Sequence, residues 1–212
     1  MIKIITISGL DGSGKSTQIK KLEKCLAAQG YQTAYCHTVQ FALINRLWLL
    51  WKKNKPKKSV SPAKQPNLPA NTSGNAIAIL LRKIMLPVDL YRFRRLLNKL
   101  EKQGVDFLLS DRYFYDQLIN LLYLRRKKQL SFYCQQIVKL IPPPTHAFFL
   151  QTAPKIINRR QRNIEQGQQY LAEKNRLYQE KWPWRWQKIN GEQDPNAVFQ
   201  EIKAVLQQDN YC

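Results

Sequence analysis

The apolar run Ile2-Lys3-Ile4-Ile5-Thr6-Ile7 leads into Gly9-Leu10-Asp11-Gly12-Ser13-Gly14-Lys15-Ser16, and Ile19, Leu22 and Leu26 then recur at helical spacing. A buried strand, a glycine-rich turn and an amphipathic helix in that order leave few folds open. The turn has the pattern G-x-x-x-x-G-K-[ST], which cradles phosphate when a strand precedes it and a helix follows. Its glycines let the backbone turn tightly and aim successive N–H groups inward. Lys15 is placed to reach β- and γ-phosphates, the Ser16 hydroxyl to ligate Mg²⁺, and the helix start adds the positive end of its dipole. Gly9, Leu10, Asp11, Gly12, Ser13, Gly14, Lys15, Ser16 and Thr17 are therefore the candidate nucleotide-binding residues, with ATP and Mg²⁺ as expected ligands. A chance glycine-rich turn would leave the strand, the helix and the Lys-Ser pair unexplained.

The rest of the chain alternates in the same way, which predicts a parallel sheet with helices on both faces. After a helix from Lys15 to about Gln29, stopped at Gly30, the segments Tyr31–His37, Val105–Ser110, Ala147–Leu150 and Arg185–Ile189 read as strands. Phe41–Trp51, Tyr115–Lys127, Phe132–Ile141 and Pro195–Gln207 read as helices. Ala76–Gln103 reads as a long helix kinked near Pro87. Pro154 to about Tyr170 and Leu171–Trp182 read as two further helices. Residues 52–75 carry Pro56, Pro62, Pro66 and Pro69 among Lys, Ser, Asn and Gln, and read as a mobile loop. A length of 212 residues suits one domain, 1–212, that buries roughly 70% of its unfolded surface.

Charge is the unusual quantity. Thirty-five Lys plus Arg against 14 Asp plus Glu leave +21, and no acid occurs from Lys24 to Val88. The basic segment 46–64, with Trp48 and Trp51 at its start, is a candidate contact for a polyanion, nucleic acid or an anionic membrane. A solvated basic loop is the plainer alternative. Cys25, Cys36, Cys134 and Cys212 form no C-x-x-C pair, so neither a zinc site nor a disulfide framework is indicated. The chain opens on a strand rather than a signal peptide, and its longest apolar stretch, Phe41–Trp51, is too short to span a bilayer. A cytoplasmic protein without a transmembrane segment is expected.

A second constellation follows the strand Val105–Ser110, which runs into Asp111-Arg112-Tyr113. An acid at the carboxyl end of a strand beside a phosphate loop is where a Mg²⁺-orienting carboxylate is wanted. The planar fork of Arg112 suits a phosphate dianion. With these residues in view the chain resembles the thymidylate kinase-like family of P-loop nucleoside monophosphate kinases. The matching pieces run from Gly9 to Gln18 and from Ser110 to Tyr113. They continue through Pro142-Pro143-Pro144 before a strand, Arg159-Arg160-Gln161-Arg162, Asn175-Arg176-Leu177-Tyr178 and Ile189-Asn190-Gly191. The resemblance implies a three-layer P-loop kinase fold with a five-stranded parallel sheet and a helical lid around residues 155–172. It also implies transfer of the γ-phosphoryl group of ATP to a nucleoside monophosphate, as in dTMP + ATP to dTDP + ADP. Arg112 would hold the acceptor phosphate and Asp111 would act through the metal. Some members carry an arginine inside the phosphate loop where this chain has Ser13, so Arg159, Arg160 and Arg162 become the candidate catalytic cations.

The departures fall on the acceptor side. His37-Thr38-Val39-Gln40-Phe41 replaces the Arg-Glu-Pro or Arg-Phe-Pro segment of the family, Asp89 stands where an arginine is expected, and Gln151 replaces an acid. A hydroxyl acceptor needs a general base, whereas a phosphate acceptor brings its own oxyanion. No carboxylate lies between Glu23 and Asp89, which favours a small phosphorylated acceptor. Asp11, Asp89 and Asp116 remain as bases for a nucleoside, a sugar or a polynucleotide 5′-hydroxyl. A nucleic-acid-associated ATP-binding protein is the competing class, and a homodimer is among the assemblies considered.

Overall fold

The computed structural model describes residues 1–37, 76–127, 129–160, 167–180, 182–209 and 211. The Phe41–Trp51 helix, the 52–75 loop, the 46–64 basic segment, Arg162 and Cys212 lie outside the described residues. Five strands form one parallel sheet: β1 (Lys3–Gly9), β2 (Thr33–His37), β3 (Phe107–Asp111), β4 (His146–Gln151) and β5 (Gln187–Asn190). Their spatial order is β2-β3-β1-β4-β5, and every neighbouring pair is parallel. The chain leaves the central β1 toward one edge for β2 and β3, then crosses to the other side for β4 and β5. In such a sheet the crevice for a ligand opens at the carboxyl ends of the strands where the winding reverses, here around β1, β3 and β4.

Both faces of the sheet are buried, which is why β1 and β3 read as near-continuous apolar runs rather than alternating ones. One face sets Ile5, Ile7, Leu109, Phe148 and Leu150 against Ile19, Leu22 and Leu26 of α1 (Lys15–Ala28) and Val198, Ile202 and Leu206 of α7 (Pro195–Gln207). The opposite face packs Ile4, Leu108 and Phe149 against four helices. These are α2 (Ala76–Lys102), α3 (Phe114–Leu124), α4 (Phe132–Leu140) and α6 (Gly167–Gln179). The short α5 (Pro154–Arg160) follows β4 and buries Ile157. Local chemistry sets the ends. Asp194 caps α7 by accepting from Asn196 N at 2.7 Å, with Pro195 in its first turn. Asp116 closes a capping box with Tyr113 at the start of α3.

Two expectations are corrected. β1 and β3 run further than expected, to Gly9 and Asp111, because Ser8 and Gly9 stay in register with Phe149 and Leu150 and Asp111 with Ile7. The boundary expected near Tyr170 does not exist. α6 begins at Gly167, whose φ of 75° sets its start, and runs through Tyr170 and Leu171, both buried. The lid segment 155–172 therefore spans α5 and the first part of α6. The expected long helix is present as α2, with Pro87 inside it. Among the described residues no helix is long and apolar enough to cross a membrane.

Candidate functional site

The glycine loop joins β1 to α1. At Gly9, with φ 149°, a Cβ would stand 2.8 Å from Ser13 Oγ and 3.0 Å from Leu150 O, so the close approach of loop and strand requires glycine there. Ser13 N donates to Leu10 O at 3.2 Å, closing the turn, and Gly14 in the left-handed region hands the chain to α1. Lys15 is buried, and its Nζ donates to Leu10 O at 2.7 Å. Burial first, then the Arg112 charge, push the Lys15 ammonium down to about 8.

The register Ile7↔Asp111 brings the end of β3 beside the loop, and Ser16 Oγ donates to Asp111 Oδ2 at 3.0 Å. The second carboxylate oxygen of Asp111 is buried, with no hydrogen-bond partner among the described residues. The Ser16 hydroxyl and the Asp111 carboxylate, one of whose oxygens is buried and uncommitted, form a hard-oxygen donor set that fits Mg²⁺. Among the described residues no three His, Cys, Asp or Glu side chains cluster as a metal cage. A cation held by Ser16 and Asp111 would complete its shell with phosphate and water oxygens.

A polar network continues from this point into the helical face. Arg112 has a left-handed backbone (φ 68°), with its N–H donating to Ile7 O at 3.0 Å. Its guanidinium is paired with Asp11 of the loop, stands 3.6 Å from Asp116 Oδ1, and donates to the Tyr178 hydroxyl at 3.5 Å. Asp116 Oδ2 accepts from Ser8 Oγ at 2.7 Å and from Tyr113 N at 2.8 Å, and its Oδ1 accepts from the Tyr178 hydroxyl at 2.6 Å. Burial alone would raise the Asp11 carboxyl, but Arg112, then Lys15 and Lys174, draw it down to about 2. Burial opposes the charge on Arg112, yet Asp11 leads a set of anions that holds it above its ordinary value. Lys174 of α6 is buried over the same cluster; burial and then Arg112 push it down to about 7. His37, at the end of β2 in register with Asp111, is held below its ordinary value by burial.

The loop residues Gly9 to Thr17 therefore meet Asp111 and Arg112 at one rim of the sheet, although α1 begins at Lys15 and leaves Thr17 exposed. Two of the candidate cations sit elsewhere. Arg159 is exposed, and Arg160 donates to the carbonyls of Gly191 at 2.9 Å and Glu192 at 3.0 Å, tying α5 to the turn after β5. Arg162 lies outside the described residues. Ser13 is buried, and its hydroxyl has no partner among the described residues. Sequence reasoning passed over Lys174 and Ser8, and it gave Tyr178 and Asp116 no structural part. The spacing of Lys174 and Tyr178, four residues apart on one helix, was the available signal. No family model matches the chain, and no curated protein matches it.

Proposed function

We propose that this chain is a Mg²⁺-dependent phosphotransferase of the P-loop kinase type, moving the γ-phosphoryl group of ATP to a nucleoside monophosphate as thymidylate kinase-like enzymes do. The observation that carries the reading is the 3.0 Å contact between Ser16 and Asp111 beneath a glycine loop that also presents Lys15. The backbone N–H groups of residues 12–16 and the α1 N-terminus hold the triphosphate. Lys15 exchanges its bond to Leu10 O for phosphate oxygens and neutralises charge as it builds. Mg²⁺ held by Ser16 and Asp111 would supply charge neutralisation across the phosphates. Asp116 and Tyr178 lock Arg112 in one orientation, so that its remaining N–H groups orient the acceptor, and positioning supplies much of the acceleration. α5 and the start of α6 are the lid of this proposal.

A second reading rests on Arg112, whose guanidinium is already shared between Asp11, Asp116 and Tyr178. An acceptor hydroxyl, on a nucleoside, a sugar or a polynucleotide 5′-end, needs no such arginine. It would use Asp11, which is half-exposed at the rim, as its base. ADP release measured across monophosphates, nucleosides and sugars separates the two. Activity with dTMP or another monophosphate supports the first reading; activity with nucleosides or sugars alone defeats it. The proposal also includes a cytosolic setting, a homodimer and a polyanion contact through segment 46–64. For that contact, deleting residues 53–74 should remove salt-sensitive oligonucleotide binding while leaving ATP turnover in place.

A further inference from the structure

Three cations converge beside the glycine loop, and two of them are engaged. Lys15 donates to Leu10 O, and Arg112 is paired with Asp11 and Asp116. Lys174 stands apart. It is 4% exposed, yet among the described residues no carboxylate lies within 4.0 Å of its Nζ. Its near neighbour is the Tyr170 ring, whose centroid is 4.9 Å from Nζ. An ammonium on a nearly buried side chain, with no carboxylate in contact, is costly unless an anion arrives to compensate it.

The helix explains where this cation points. Lys174 lies one turn before Tyr178 on the same face of α6. The Tyr178 hydroxyl is bonded to Asp116 and Arg112, which places that face over the loop side of the cluster. The groups facing Lys174 are Asp11 and Lys15 from the loop, Arg112 from the end of β3, Asp116 from α3, and Tyr170 and Tyr178 from its own helix. Asp11, Asp116 and, acting on Lys15 and Arg112, Asp111 match the cations Lys15, Arg112 and Lys174 in number, but among the described residues none of the three carboxylates lies within 4.0 Å of Lys174 Nζ. What Lys174 lacks is an anion in contact with its own ammonium.

We propose that Lys174 is a phosphate-binding residue of this site, its Nζ donating to a phosphoryl oxygen of the nucleotide seated on the Gly9–Ser16 loop. The proposal rests on reading that loop as a triphosphate site. Lys174 then supplies the cation that neither Ser13 in the loop nor the turn-bound Arg160 provides. Lys174, held at about 7 by burial and Arg112, is largely neutral at mildly alkaline pH and regains its proton when the phosphate arrives. Nucleotide binding at pH 7.5 is therefore coupled to proton uptake.

Calorimetry of the full chain with Mg²⁺ and adenylyl imidodiphosphate, at pH 7.5 in buffers of different ionisation enthalpy, reads that uptake directly. Lys174→Arg should bind within about threefold of the parent while losing most of the uptake, because a guanidinium is charged throughout. Lys174→Met should bind about 10- to 100-fold more weakly, the loss of one charge-assisted bond. Unchanged uptake in Lys174→Arg overturns the proposal even if Lys174→Met does not fold, and so does parent-like affinity in a folded Lys174→Met. Lys15→Ala separates the two levels. If it abolishes binding while both Lys174 variants behave as parent, the loop reading stands and the Lys174 proposal falls. A parent chain that binds no nucleotide takes both down.

Discussion

The two faces of the sheet are built from different materials. The α1/α7 face is mainly aliphatic and aromatic: Ile5, Ile7, Leu22, Leu26, Leu109, Phe148, Ile202 and Leu206 are each at most 1% exposed, and none of these carries a polar atom on its side chain. The other face mixes its apolar core with Thr6, Ser8, Ser110, Asp116, Arg112, Lys174 and Tyr178, all buried. Both are equally closed to solvent, so burial does not distinguish them. The difference is what burial does. On the first face each buried carbon contributes to stability. On the second, buried charges are held by one another, which contributes little net stability but fixes side chains in single orientations. One face holds the sheet together and the other aims groups at its rim.

The largest expected effect tests the rim. Lys15→Ala should lower ATP turnover by about 10³-fold, the scale for losing a preorganised charge at a developing anion, with the melting temperature little changed. Equal turnover in parent and variant would sink the phosphotransferase proposal. On the aliphatic face the signature reverses. Phe148→Ala removes a fully buried ring and should cost about 3–5 kcal/mol in denaturant unfolding, while the surviving folded fraction keeps parent affinity for nucleotide. If that variant lost affinity instead, the division between the faces would be wrong. Asp116→Asn breaks the network itself: Arg112 loses a carboxylate, Tyr178 and Ser8 lose an ionised acceptor, and about 3 kcal/mol should go. Here stability and turnover should fall together.

The fourth prediction uses pH. In the folded chain Lys174 is held at about 7, against an ordinary value of 10.5. Between those values the unfolded chain binds more protons than the folded one, so the cost of burying this ammonium is greatest below pH 7 and fades as pH rises toward 10.5. Lys174→Met should therefore melt above the parent at pH 6, with the gap closing by about pH 10. A gap independent of pH would mean that the residue is not titrating as a buried cation. The smallest effect belongs to Arg159, which is exposed. Its change to Ala should move stability by less than about 0.5 kcal/mol. Amide exchange in α5 and the start of α6 should slow on adding an ATP analogue, and unchanged exchange there would remove the lid from the proposal.

Local features were legible in the sequence. The strand–loop–helix at the start needs only neighbouring residues to specify it, and so does Pro195–Gln207 with Asp194 before it and a clean apolar period within. Asp111 stood out because the end of a strand beside a glycine-rich loop is where a metal-orienting carboxylate would be wanted, and the fold brings it to Ser16. The network was not legible. Ser8 and Asp116 are 108 positions apart and Tyr178 is a further 62, and no periodicity reports such partners. Arg160 looked like a free cation in an arginine-rich run, yet its partners are the backbone carbonyls of Gly191 and Glu192, which any sequence would supply. A boundary was expected near Tyr170 because Tyr170 and Leu171 look like a junction of two apolar patterns. In the fold they lie on one helix, buried in the same core.

The backbone of Arg112 has a consequence for the range of sequences this position tolerates. Its φ of 68° is a conformation that glycine adopts freely and that costs other residues about 1–3 kcal/mol. The side chain must meanwhile engage Asp11, Asp116 and Tyr178 at once. Backbone and side chain thus ask for different amino acids at one site. Glycine satisfies the first and asparagine approaches it, but neither brings charge; lysine brings charge but no fork. In a library saturating this codon, selection for soluble expression alone and selection for turnover should return differently ranked alphabets. Glycine should rank higher in the first list than in the second, where it should be missing.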